Sequence, residues 1–113
     1  MNLENTQIQM RKGILEFCIL SIISRETVYA SEILNELTRS KMVVVEGTLY
    51  PLLTRLRKAE LVDYEWVESE SGPPRKYYIL TEKGQEFLGG LDETWLELNN
   101  STKKIVANTK KQA

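Results

Sequence analysis

The sequence predicts an α+β fold, mostly helical: three helices, a two-stranded hairpin and one long final helix. Three observations predict it. Apolar residues recur at helical spacing through residues 5–59. The period changes to two over residues 62–67, and a second β-prone run follows at 76–80. From Leu88 to Ile105 the apolar spacing becomes a heptad.

Residues 5–24 read as the first helix. Ile8, Leu15, Phe17, Cys18, Ile19, Leu20, Ile22 and Ile23 make its second half apolar nearly all round. Such a helix is covered on more than one side, and in so small a chain a partner subunit is expected to supply part of the cover. Arg25, Glu26 and Thr27 form a polar connection. A second helix runs from Ala30 to Arg39, with Ile33, Leu34 and Leu37 on one face. Ser31 and Glu32 suit its free amides and positive dipole end. Ser40 to Val44 is a linker, and the run Val43-Val44-Val45 favours extended backbone. A third helix spans Glu46 to Ala59, with Leu49, Leu52, Leu53 and Leu56 on one face. Pro51 leaves two readings open: a helix that starts near Tyr50, or a tolerated kink in its opening turn.

Val62, Tyr64 and Trp66 then alternate with Asp63, Glu65 and Val67, a strand with one wet face. Glu68 to Pro74 reads as a loop longer than a tight turn, and Lys76 to Leu80 as the return strand. Thr81 is a good N-cap for the final helix. Leu88, Trp95 and Thr102 stand seven apart, as do Leu91, Leu98 and Ile105. This seam packs either on its own domain or, as we expect, on a second subunit. Gly89-Gly90 weakens the helix and permits close contact or a kink. This order is the winged helix-turn-helix plan with an added dimerisation helix. The expected division is 1–80 for the winged domain and 81–113 for the dimerisation helix and basic tail.

At 113 residues the chain suits one modest core. Its longest apolar stretch, Ile14 to Ile23, is too short to cross a bilayer, and no signal-peptide pattern opens the chain. With one cysteine, Cys18, and no histidine, no metal site, cofactor or Cys–His nucleophile is expected, and a reducing cytoplasm fits. Acids are scattered and no phosphate-binding glycine loop is present, so an enzyme is not expected. The net charge of −1 hides a sorted distribution. Residues 39–59 carry +4, residues 60–70 carry −5, and the tail from Lys103 holds four lysines and no acid. Clustered charge can be a solvated surface or a basic face for a polyanion.

In a helix-turn-helix the second helix of the pair enters the major groove of double-stranded DNA. Here that is the third helix, and Thr48, Tyr50, Thr54, Arg55 and Lys58 are its candidate contacts. Arg55 offers a fork to guanine or phosphate, and the hydroxyls suit phosphate. Gly47 would let the backbone come close. Arg75 and Lys76 are the candidate wing contacts, with Glu68 and Glu70 on the other arm opposing them. A solvated helix face is the plainer reading of Arg55 and Lys58. A protein-interaction module using acidic residues 60–70 is the rival function.

The run EGTLYPLLTRLRKAELV (46–62) closely resembles the signature of PadR-family transcriptional regulators, as does RKYYILTEKG (75–84). Tyr29, Glu32 and Ile33 are similar to the family's helix-two opening. The length resembles the small subfamily of phenolic-acid and multidrug-responsive repressors. The resemblance implies a homodimer on a palindromic operator, with the final helix against the partner's first helix. Leu15, Leu88, Leu91, Trp95, Leu98 and Ile105 are the expected interface. It also implies a planar aromatic effector stacked on Trp95, which can equally be a core knob. Three features depart from the pattern. Glu60 replaces the usual helix-ending glycine, Ala30-Ser31 replaces Gly-Tyr, and the Pro73-Pro74 wing is less basic.

Overall fold

Helix α1 spans Leu3–Arg25, begun by the Asn2 side chain accepting from the Asn5 amide at 3.2 Å. The computed structural model describes residues 1–42 and 44–108, so Val43 and the tail lysines Lys110 and Lys111 lie outside the described residues. Then come β1 (Val28–Tyr29), α2 (Ala30–Arg39), α3 (Glu46–Lys58), β2 (Val62–Ser69), β3 (Gly72–Leu80) and α4 (Glu82–Ala107). The expected winged plan is the fold found.

The strands form one antiparallel sheet in the order β1-β3-β2. β1 was not anticipated, because two residues carry no periodicity. Val28 pairs with Tyr78 and Tyr29 with Tyr77, which ties the start of α2 to the hairpin. The Glu32 carboxylate accepts from the Tyr29 amide at 3.1 Å and holds that corner.

The hairpin loop is a correction. Instead of a long loop over Glu68 to Pro74, Ser69 pairs with Gly72 across a two-residue turn, Glu70-Ser71. Pro73 and Pro74 lie inside β3, where the register shifts between Val67 and Ser69 and two residues oppose one. Such a bulge admits residues that cannot donate to a ladder.

Pro51 sits inside α3, which begins five residues earlier at Glu46. Its missing N–H leaves the Gly47 carbonyl without a helical donor. α2 and α3 both end on a left-handed residue, Lys41 (φ 68°) and Glu60 (φ 65°). Met42 donates back to Leu37 at 2.8 Å, and Leu61 to Leu56 at 3.0 Å, the six-residue return of a Schellman ending. Glu60 thus takes the conformation that glycine takes more readily.

The core joins Leu15, Ile19, Leu20 and Ile23 of α1, Ile33 and Leu37 of α2, and Leu49, Leu53 and Leu56 of α3. Val62 and Tyr78 of the hairpin and Leu88 of α4 close it. The start of α4 is seated on the end of α3. The Thr81 amide donates to the Leu61 carbonyl at 3.1 Å. The Thr81 hydroxyl lies 2.6 Å and 3.0 Å from the Glu60 and Leu61 carbonyls and accepts from the Gly84 amide at 2.9 Å. A Cβ on Gly84 would collide with the Leu61 carbonyl. Gly89 and Gly90 have nothing close to them, so no tight helix contact is made there within the protomer.

Two substitutions test these backbone positions by thermal unfolding. Glu60→Gly is expected to stabilise by about 0.5–1 kcal/mol through relief of the left-handed strain. Gly84→Ala is expected to destabilise by about 2–3 kcal/mol, because backbone must move to admit the methyl.

Candidate nucleic-acid interface

Leu49, Leu53 and Leu56 turn one face of α3 into the core. By the 100° step of a helix, Gly47, Pro51, Thr54 and Lys58 point directly away. Tyr50 and Arg57 flank them on the hairpin side, and Thr48 and Arg55 on the α1 side.

Five of the seven expected contacts gather between α3 and the hairpin. A groove of about 450 Å³ is lined by Tyr29, Ser31, Tyr50, Trp66, Arg75 and Lys76 among others. A neighbouring one of about 200 Å³ is lined by Thr54, Arg57, Lys58, Tyr64 and Lys76, with Leu53 and Tyr78 at its floor. Lys76 and Tyr78 belong to both, so the two form one trough. It presents Arg57, Lys58, Arg75 and Lys76, and no carboxylate lines it. Neither Glu68 nor Glu70 is among the lining residues.

Three of the four cations are held in place by aromatic rings. The Lys76 ammonium lies 4.4 Å from the Tyr64 ring centre and 5.3 Å from Trp66. The Arg75 guanidinium lies 4.7 Å from Tyr29, and that of Arg57 4.4 Å from Tyr64. Each contact is worth about 0.5–1 kcal/mol at an exposed site and restrains a flexible side chain before any ligand arrives. The Thr54 hydroxyl donates to the Tyr50 carbonyl at 3.0 Å, so towards a ligand it can only accept.

Arg57 also bonds Asp63 at 3.3 Å. The Asp63 carboxyl is held below its usual range by the Tyr64 amide first and the Arg57 guanidinium second. The pair therefore persists above that lowered value and is lost as pH falls through it. Arg57 was missed as a site residue. Its signal was its spacing, seven residues after Tyr50 and three after Thr54, which puts it on the trough flank of α3. Trp66 was missed as well.

Thr48 and Arg55 sit apart from the trough. They line a groove of about 790 Å³ between α1, α3 and α4, with Lys12, Phe17, Phe87 and Leu91. Arg55 is paired there with Glu16 at 2.7 Å. An arginine read from sequence as a free fork thus has a carboxylate partner.

The expected interface residues also divide. Leu15 and Leu88 lie in the protomer's own core, 3% and 8% exposed, which leaves them little surface to offer a partner. Leu91 is half-buried, whereas Leu98 and Ile105 are exposed. Trp95 is 41% exposed and packs on Phe17 of α1, ring centres 6.3 Å apart.

A helix pair followed by a hairpin wing, with cations between wing and second helix, defines a winged-helix DNA-binding regulator. The profile of the transcriptional regulator PadR-like family matches residues 19–90. A PadR-like transcription factor from Bacteroides fragilis is 55% identical over 89% of this chain and 98% of that one, with a TM-score of 0.75. A PadR-like transcriptional regulator from Bacillus cereus is 40% identical over 87% of this chain and 96% of that one, TM-score 0.80. An uncharacterized protein of Lysinibacillus sphaericus is 32% identical over 77% of this chain and 83% of its own length. The chain belongs to the PadR-like family, whose members are transcription factors and not enzymes. No helix among the described residues is long and apolar enough to cross a membrane.

Truncating one cation at a time measures the trough. Lys58→Ala, Arg75→Ala and Lys76→Ala are each expected to lower the slope of log affinity against log salt by about 0.9. Glu16→Gln is expected to strengthen binding about two- to fivefold by releasing Arg55, the worth of an exposed ion pair. Anisotropy of a labelled duplex at several salt concentrations reads both.

Proposed function

We propose that this regulator works in the cytoplasm as a homodimeric, ligand-responsive repressor on a palindromic operator. The observation that carries DNA reading at this site is the trough between α3 and the wing, with four cations and no carboxylate along it. In this reading Tyr50, Thr54, Lys58, Arg75 and Lys76 face DNA together. Thr48 and Arg55 serve at the edge, with Arg55 shared between Glu16 and phosphate. Residues 1–80 read DNA and residues 81–113 hold the two copies together.

Two exposed apolar seams support the dimer. On α1, Leu3, Met10 and Phe17 stand seven apart, with Leu3 and Met10 exposed. On the second half of α4, Trp95, Leu96, Leu98 and Val106 are exposed. An apolar surface of this length on a small soluble chain is a place for a partner, and a second copy offers matching seams. Two copies present two α3 helices, which a two-fold operator with half-sites one helical turn apart would receive. The Phe17–Trp95 pair at the edge of this seam is where a planar aromatic effector would stack. Binding there would alter the spacing of the reading heads, and with it operator affinity.

Leu98→Asp is expected to halve the mass seen by sedimentation equilibrium, from twice 13.1 kDa to one chain, and to abolish operator binding. A monomeric wild-type chain sinks the dimer. A planar aromatic dye is expected to quench tryptophan emission of the DNA-free protein and to lose most of that quench in Trp95→Phe. Gel shifts with the region upstream of the chain's own gene test the operator. The absence of a sequence-preferring, salt-dependent shift would falsify the reading.

A further inference from the structure

Trp66 is the most exposed aromatic residue of the trough, ahead of Tyr50 at 48%. Its indole is 61% exposed, on a strand whose neighbours on the same face go into the core. The cross-strand pairs on that face run Val62–Leu80, Tyr64–Tyr78 and Trp66–Lys76. The first two pairs are buried or half-buried, and the third emerges beyond the core, facing Tyr50 and Ser31 across the groove. An exposed indole beside an ammonium is an amphipathic surface: an apolar plate next to a positive charge. A nucleic-acid strand has the complementary alternation, apolar sugar next to charged phosphate.

We propose that Trp66 is itself a DNA contact, its indole lying against a deoxyribose of the strand whose phosphate Lys76 holds. This rests on the DNA-binding reading of the trough and names the part of the ligand that the wing recognises. The complementarity favours a polyanion, because Arg75 and Lys76 line the groove and no acid does. It favours one with apolar units between its charges, because the widest exposed element there is an aromatic ring. The Tyr64 ring, 6.1 Å from Trp66 and edge-on to it, braces the indole from the core side and leaves its outer face open. Lys76, restrained over both rings, has little side-chain freedom left to lose when it meets a phosphate.

The chain has two tryptophans, Trp66 and Trp95, so emission reports on both and a single substitution separates them. A labelled duplex from the region upstream of the gene is titrated into the full chain, with anisotropy giving affinity and tryptophan emission giving contact. The duplex is expected to quench emission in the wild type and to lose most of that quench in Trp66→Phe. Trp66→Ala is expected to weaken binding on the order of tenfold, and Trp66→Phe far less. The double variant Trp66→Ala/Lys76→Ala is expected to bind more weakly than Lys76→Ala alone. Equality of those two would mean that Trp66 only positions Lys76, and overturns the contact. So would a quench that survives in Trp66→Phe, or an equal quench by inorganic polyphosphate, which has charge but no sugar. Duplex binding with unchanged emission removes this inference and leaves the trough standing; no duplex binding in the wild type removes both.

Discussion

The Leu61 carbonyl oxygen is the point on which the arrangement of α3, the hairpin and α4 depends. α3 ends at Glu60 in a left-handed turn that drops Leu61 into the core. That turn aims β2 back across the helices. The Leu61 oxygen then receives the Thr81 amide and stands against the bare Cα of Gly84. The turn that ends α3 and the first turn of α4 therefore share one backbone atom as a seat. Neither can tilt without disturbing the other, because buried backbone groups lose more by losing a partner than they gain by making one.

This seat explains how a chain of net charge −1 can present a basic face. The hairpin is held with its inner face toward α3, so Lys76 comes beside Arg57 and Lys58, while Arg75 lines the adjoining groove over Tyr29. The acids of residues 60–70 go elsewhere: Asp63 onto Arg57, and Glu68 and Glu70 outside the trough. Aromatic rings lie under three of the four cations; Arg75 and Lys76 are ordered by rings, and Arg57 by a ring together with Asp63.

Two surfaces of the molecule have different characters. The trough is polar, cationic and aromatic. The far halves of α1 and α4 expose apolar seams, and the molecule is elongated, 62 Å in its longest extent. Between them, Glu16 holds Arg55 across the α1–α3 groove.

Much of this was legible from the residues alone. Helical spacing located α1, α2 and α3, because burial of a stripe every 3.6 residues needs no knowledge of what covers it. The motif at 46–62 located α3 as the second helix of the pair, and Thr81 the start of α4. What tertiary structure alone decided was who stands opposite whom. Strand β1 is too short to have a period, and exists because Tyr77 and Tyr78 offer it an edge. The prolines that spelled a loop were absorbed by a bulge. Arg55 met Glu16, and Leu15 and Leu88 went to the protomer's own core. A sequence states which face of each element is apolar or charged. The partner of that face is set by how the elements close on one another, which one-dimensional periodicity does not contain.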